Sequence, residues 1–321
     1  MPDCNLLQSI DQKCGTTNNI TVLSIFSSSS SGVFMLFTIP LNALIVYSLI
    51  NERKKTYRSL FFKLLLNIAL ADLLTGLIAD PASMNALTKE ALRIDMSLFE
   101  VYIIHLSLFF TDAVALLTLT ILSIERFIAL VFPLRHFNGI QKRTENILVF
   151  SVWPISIILV LPYFHLKFIR QLVVFSSLNI VVTVLALVVT TITYKQKLGS
   201  QRFMQKLRAS SDDQYKRSAI PQTTETVVNP NRLRNKKKVT RMFIVMLLVF
   251  VLTYLPTAVT MVYMNACTEC NCVVVHVMRD VSILSILSSS VFRPLNFILT
   301  LKHLRISVAR IFKKNNKVAA D

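Results

Sequence analysis

Glycine is nearly missing from this chain, at five residues in 321. Neither G-x-G-x-x-G nor G-x-x-x-x-G-K-[ST] occurs, so the loops that cradle nucleotide phosphates are absent. Charge is sparse as well. Only 16% of residues are Asp, Glu, Lys or Arg, and the acids are outnumbered 17 to 35, leaving a formal charge of +18. The first residues, MPDCNLLQSIDQKC, lack the basic start and apolar core of a signal peptide. No internal repeat is visible. No set of metal ligands and no nucleophile with a neighbouring base falls within an apolar run, which argues against an enzyme, a bound metal or another cofactor.

What the chain has in abundance is hydrocarbon. It is 53% hydrophobic with a mean hydropathy of +0.57, a balance unusual in a soluble protein of this size. Apolar runs lie near 30–50, 60–81, 97–131, 146–164, 172–194, 239–264 and 274–300. Each is around the ~20 residues that a helix needs to cross a bilayer. The expected fold is therefore an all-α membrane protein, a seven-transmembrane helix bundle. Residues 1–29 form an outer tail and 30–300 the spans, with a third inner loop at about 195–238. Residues 301–321 form an amphipathic helix and a short tail: Leu304, Val308, Ile311 and Phe312 share one helical face, and bases line the other.

Basic flanks stay in the cytoplasm, and here they fix the orientation. Segments after spans one, three, five and seven carry Arg53, Lys54, Lys55 and Arg58; Arg135, Lys142 and Arg143; a dense set from Lys195 to Arg241; and Lys302 to Lys317. The opposite side holds only Lys13, Lys89, Arg93, Lys167, Arg170 and Arg279. The N-terminus is thus extracellular and the protein is placed in the plasma membrane. The positive charge is topology plus attraction to anionic inner lipid, and nucleic acid is not required to explain it. All five cysteines, Cys4, Cys14, Cys267, Cys270 and Cys272, fall on the oxidising side, where disulfides form. The lone N-x-[ST] sequon, at Asn19, lies on the same side and is a glycosylation candidate.

Motifs along the spans sharpen the reading. Leu70-Ala71-Asp72 in span two, with Asn42 in span one, resembles the conserved pair of rhodopsin-like (class A) G-protein-coupled receptors. Ser123-Ile-Glu125-Arg126-Phe127, followed by Phe132-Pro-Leu-Arg135, is similar to that family's D/E-R-Y motif and its inner-loop proline. Trp153 stands where span four carries its tryptophan, and Tyr194 matches the inner tyrosine of span five. Phe250-Val-Leu-Thr-Tyr254-Leu-Pro256 resembles F-x-x-C-W-x-P, and Arg293-Pro294-Leu-Asn-Phe297 occupies the N-P-x-x-Y slot. The resemblance covers about residues 30–313.

That resemblance implies an extracellular ligand read out by a heterotrimeric G protein, with arrestin and a receptor kinase as further partners. It implies that Glu125 holds Arg126 when the protein is inactive, and that Arg126 swings toward Tyr194 on activation. The departures carry their own expectations. The position that often supplies a second acid to restrain Arg126, at the base of span six, is Lys236, so raised basal activity is expected. Arg293 replaces Asn or Asp beside the span-two acid, and a buried unpaired base is prohibitive, so an Asp72–Arg293 ion pair is expected in place of a bound sodium ion. The alternative is that Arg293 snorkels to the inner surface. Altered positions at Tyr254, Arg293 and Phe297 leave a signalling-poor decoy or scavenging receptor open.

No cysteine stands 25 residues before Arg126, where Val101 lies, and span five has Ala186 where the family's proline falls. With the short second outer loop and the Cys-rich third, this is similar to the melanocortin, cannabinoid and lysophospholipid receptors. Candidate pocket residues are Asp112, Leu108, His105, Tyr254 and His276, with Glu100, Arg279 and Asp280 near the mouth. Leu108 stands where amine receptors place an aspartate, which favours a peptide, lipid or nucleoside ligand over an amine. Asp80-Pro81 reads as a kink. A transporter would show inverted repeats and more charges at depth, whereas only Asp72, Asp112 and Arg293 are expected there. Span seven has no lysine between Cys272 and Thr300, which excludes a retinal Schiff base.

Overall fold

The computed structural model describes residues 18–51, 59–131, 142–166, 230–266, 272–301 and 304–310, together with 174, 177–178, 181–186, 188–193 and 195–196 of the fifth span. Side chains at 18–19, 129–131, 165–166, 230–243, 261, 264–266 and 272 lie outside that description. Among the described residues every regular element is helical. Five helices are long and apolar enough to cross a membrane: Ile20–Asn51, Leu60–Ala91, Leu98–Ile128, Lys142–Val160 and Val273–Thr300. Two shorter apolar helices, Val181–Thr193 and Ile244–Thr260, complete the seven-helix bundle.

Lipid is as apolar as leucine, so burial between spans gains little from leaving water, and close packing and polar contacts hold the helices together. Exposed Phe26, Leu36, Phe37, Leu252, Val259 and Leu299 form part of the lipid-facing surface. Inside, Ile45, Leu64, Ile68, Leu119, Leu122, Met246 and Phe250 join spans one, two, three and six into one core, which Phe297 and Leu304 close from below. Asn67 ties span two to span four: its amide donates to Val149 O at 2.9 Å and accepts from Trp153 Nε1 at 3.4 Å. Lys63 repeats the tie at the inner end, donating to Glu145 and to Asn146, both at 2.8 Å.

The helix that carries span one begins at Asn18, ahead of the apolar run near 30. The serine run Ser27–Ser31 depresses hydropathy there, but a helix absorbs hydroxyls readily. Ser29 and Ser30 donate to the carbonyls of Ile25 and Phe26 one turn back, and Ser28 reaches span two at Met84 O (3.1 Å) and Thr88 Oγ1 (2.7 Å).

Span two is interrupted by a π-helical turn, Thr75–Ala79, before the helix resumes as Asp80–Ala91. Pro81 supplies the cause. A proline ring clashes with the carbonyl four residues back and lacks the N–H that would satisfy it, and widening the preceding turn relieves both. The Asp80 N–H accordingly donates to Thr75 O, five residues back. Gly76 in this turn lets span one pass close, since a Cβ there would lie 2.9 Å from Thr38 Cγ2 and 3.0 Å from Ile39 Cγ1.

The outer end of span two stops in a Schellman arrangement, with Ile94 N donating to Lys89 O at 2.8 Å and Arg93 N to Glu90 O at 3.1 Å. Arg93 takes the left-handed position at φ 59° that glycine normally fills. Beyond span seven, helix 304–310 buries Leu304, Ser307 and Val308 and exposes Arg305 and Arg310.

Candidate functional site

Three polar centres lie along the bundle, and the innermost sits at the end of span three. Glu125 and Arg126 are sequence neighbours, yet both oxygens of the carboxylate face the guanidinium. Arg126 Nη2 donates to Glu125 Oε1 at 2.6 Å and Nε donates to Oε2. The guanidinium also lies 4.3 Å from the centroid of Phe61 in span two, a cation–π contact. The acid is 7% and the base 14% exposed by side chain. A two-pronged, charge-assisted pair against a ring holds Arg126 in one orientation. The helix carrying Lys236 continues to Ala266, but the Lys236 side chain lies outside the described residues, as does Tyr194.

The middle centre is built by spans one, two, six and seven. Asp72 Oδ1 accepts from Arg293 Nη2 at 2.8 Å, with the two side chains 1% and 4% exposed. Ser289, one turn before Arg293, accepts from Nη2 on its hydroxyl at 2.8 Å and from Nε on its carbonyl at 3.2 Å. The guanidinium carbon stands 5.2 Å from the Phe250 ring, which stacks on Tyr254 at 4.6 Å and 15°. Asn42 bridges span one to span seven by donating to Ser290 O at 3.0 Å and to its own Thr38 O at 2.9 Å. Arg293 therefore points into the bundle and does not reach for the inner surface. Ala115, in span three, is buried and adds no ligand oxygen. Pro256 and Pro294 sit within their helices, and Phe297 is fully buried without a hydroxyl.

The outer centre was not legible as a unit. His276, Arg279 and Asp280 are each at most 2% exposed, and so are not hydrated residues of a pocket rim. Arg279 grips Glu90 with both prongs, Nη1 to Oε1 at 2.9 Å and Nη2 to Oε2 at 2.6 Å, and donates to Asp280 Oδ1 from Nε at 2.9 Å and Nη2 at 2.7 Å. His276 Nδ1 stands 2.8 Å from Glu90 Oε1. The clue was the i, i+3, i+4 spacing of the three span-seven residues, which places them on one helical face.

Asp80 is likewise fully buried, so the expected kink carries a carboxyl into the bundle. Glu100 instead faces Lys89 at 2.5 Å and caps its own helix through Ser97 N at 2.9 Å.

The pocket candidates are dispersed. His105 turns toward span four, where Nδ1 meets Tyr163 Oη at 2.8 Å among Tyr102, Phe109 and Phe164. His276 turns toward span two, Leu108 and Asp112 are half-buried on span three, and Asp112 is engaged by its surroundings. Tyr254 is buried beneath them on Phe250. Cys4, Cys14, Cys267 and Cys270 lie outside the described residues. Cys272 and Asn19 fall within helices, but their side chains do not belong to the description. No group of three or more metal-ligating side chains occurs among the described residues. A family model described as 7 transmembrane receptor (rhodopsin family) matches residues 41–296, well over half of the chain.

Proposed function

This chain belongs to the rhodopsin family of seven-transmembrane receptors, and from that premise we propose that it passes the binding of an extracellular ligand to a heterotrimeric G protein at its inner face. The observation that carries the reading is the Glu125–Arg126 pair, closed on itself and braced by Phe61 at the inner end of span three. A charged pair that is mostly desolvated but close to the surface is a two-state element. Opening it frees a guanidinium for the partner, and a few kcal/mol separates the states.

Arg126 is the switch residue, with Tyr194 and Lys236 as its inner-face neighbours. The Asp72–Arg293 pair fixes the spacing of spans two and seven in place of a sodium ion. Asp112, Leu108 and Tyr254 form the floor of a pocket for a peptide, lipid or nucleoside. The receptor acts at the plasma membrane with its N-terminus outside, and arrestin and a receptor kinase end the signal.

The test is ligand-free G-protein dissociation in cells, across the G-protein classes, for wild type and Arg126→Ala at matched surface expression. A basal signal that Arg126→Ala abolishes supports the reading. A basal signal indifferent to Arg126→Ala counts against the switch.

A further inference from the structure

Span one presents a stripe of buried hydroxyls: Ser24, Ser27 and Ser31 make no hydrogen bond within the protein, and Thr38 continues the stripe beside Asp80. Their spacing of three, four and seven residues keeps them on one face. Both ends of the stripe are pinned toward spans two and seven, above by Ser28 on Met84 O and below by Asn42 on Ser290 O. Across from them on span two, Ser83 Oγ is buried and equally without a hydrogen bond, and the buried Asp80 carboxyl has the Thr38 hydroxyl as its neighbour. On span seven, His276 Nε2 and Asp280 Oδ2 are likewise buried and without a hydrogen bond. Buried polar groups in native proteins find a partner, and where side chains provide none, ordered water does. The stripe runs from the Arg279 cluster at the outer end to the Asp72–Arg293 pair in the core.

The charges along this seam do not balance. Four carboxyls, Asp72, Asp80, Glu90 and Asp280, face two guanidiniums, Arg279 and Arg293. Asp72 is paired with Arg293, while Glu90 and Asp280 share Arg279. Asp80 alone has no cation among these contacts. Span one offers it the Thr38 hydroxyl and no buried ionisable group, span two offers Asp72 and Glu90, and span seven offers the committed Arg279 and Arg293 with His276 and Asp280. Span three contributes His105, held by Tyr163, and Asp112 and Glu100, both engaged. An isolated carboxylate in such surroundings takes up a proton rather than remain charged.

We propose that spans one, two and seven enclose a hydrated seam in which Asp80 binds a proton exchanged with the outer medium. The π turn gives that proton its consequence. Eight residues of regular α-helix, at about 100° each, overshoot two full turns by about 80°, and the wider turn takes up that excess. Asp80 is thereby brought onto the face of span two that carries Asp72, two turns further out. A protonated Asp80 leaves the Asp72–Arg293 pair undisturbed. A deprotonated Asp80 is a second acid competing for Arg293, whose Nη1 makes no hydrogen bond. The seam is thus a proton site that sets the strength of the core pair, and it goes beyond the coupling to G protein.

The test needs no G protein and no ligand, so its outcome is independent of the signalling reading. The full-length receptor in lipid nanodiscs is titrated between mildly acidic and mildly alkaline pH and followed by infrared difference spectroscopy. The expected result is a protonated-carboxyl C=O band in wild type that is missing in Asp80→Asn and retained in Glu90→Gln. In Thr38→Val, which keeps the carboxyl but removes its neighbouring hydroxyl, the band persists at a shifted frequency. That second variant decides the matter where Asp80→Asn does not accumulate. Absence of the band in wild type, its persistence in Asp80→Asn, or an unshifted band in Thr38→Val would overturn the proposal.

Discussion

Removing one half of the Asp72–Arg293 pair is the most informative perturbation of the bundle core. The two charges meet at 2.8 Å with side chains 1% and 4% exposed, so neither has water to fall back on. Arg293→Met keeps the unbranched stem but not the guanidinium, and leaves Asp72 facing an apolar side chain. Breaking a buried pair in this way costs about 3–5 kcal/mol, most of it the penalty of the stranded charge. Loss of the desolvated contact over Phe250 adds about 2 kcal/mol. Asp72→Asn strands the guanidinium instead, with Ser289 as partial relief. The double variant Asp72→Asn/Arg293→Met strands nothing, and neutral replacements of a buried pair are often near neutral, so it costs about 1–2 kcal/mol, less than either single change. The assay is unfolding of purified receptor in mixed micelles, followed by the fluorescence of Trp153, the chain's one tryptophan, which bonds span four to Asn67 of span two. If the single costs simply add in the double variant, the two groups are not coupled and the reasoning fails.

Other changes probe separate parts of the structure. Gly76→Ala sets a methyl 2.9 Å from Thr38 Cγ2 in the π turn and should cost about 1–3 kcal/mol by overpacking, measured in the same unfolding assay. Arg93→Gly should be tolerated at φ 59°, whereas Arg93→Val should cost about 1 kcal/mol or more, because a β-branched side chain clashes in the left-handed region. Lys236→Glu should lower basal G-protein signalling at matched surface expression by offering Arg126 a second acid; an unchanged or raised signal contradicts the assigned role of Lys236.

Hydropathy made the seven-span bundle legible, because a stretch of about 20 apolar residues has few fates other than a membrane helix. Asp72 and Arg293 were readable as facing charges, since each stands at membrane depth in an otherwise apolar run. Other features escaped for identifiable reasons. The serine-rich start of span one lowered the hydropathy signal without weakening the helix, whose hydroxyls fold back on carbonyls one turn away. Asp80-Pro81 was readable as an irregularity of span two, but the burial of the Asp80 carboxyl was not, because the sequence does not display the π turn before it. Arg279 and Asp280 were read as rim residues from their place after a cysteine-rich loop. Their partner, Glu90, is 189 residues distant in sequence from Arg279, beyond the reach of any local pattern. His105 was correctly placed on span three, but nothing in its neighbours revealed that it turns to Tyr163 in span four rather than toward the other pocket candidates.

The central claim is that Glu125 restrains Arg126 and that the freed arginine engages a G protein. Nucleotide exchange on purified heterotrimers, catalysed by the receptor in lipid nanodiscs, tests it most directly through Glu125→Gln, which removes the negative charge while keeping the side chain's shape. Exchange is predicted to rise above wild type by several-fold and to fall to background when Arg126→Ala is added. Exchange that Glu125→Gln leaves at the wild-type rate, or a rise that survives Arg126→Ala, would contradict the account.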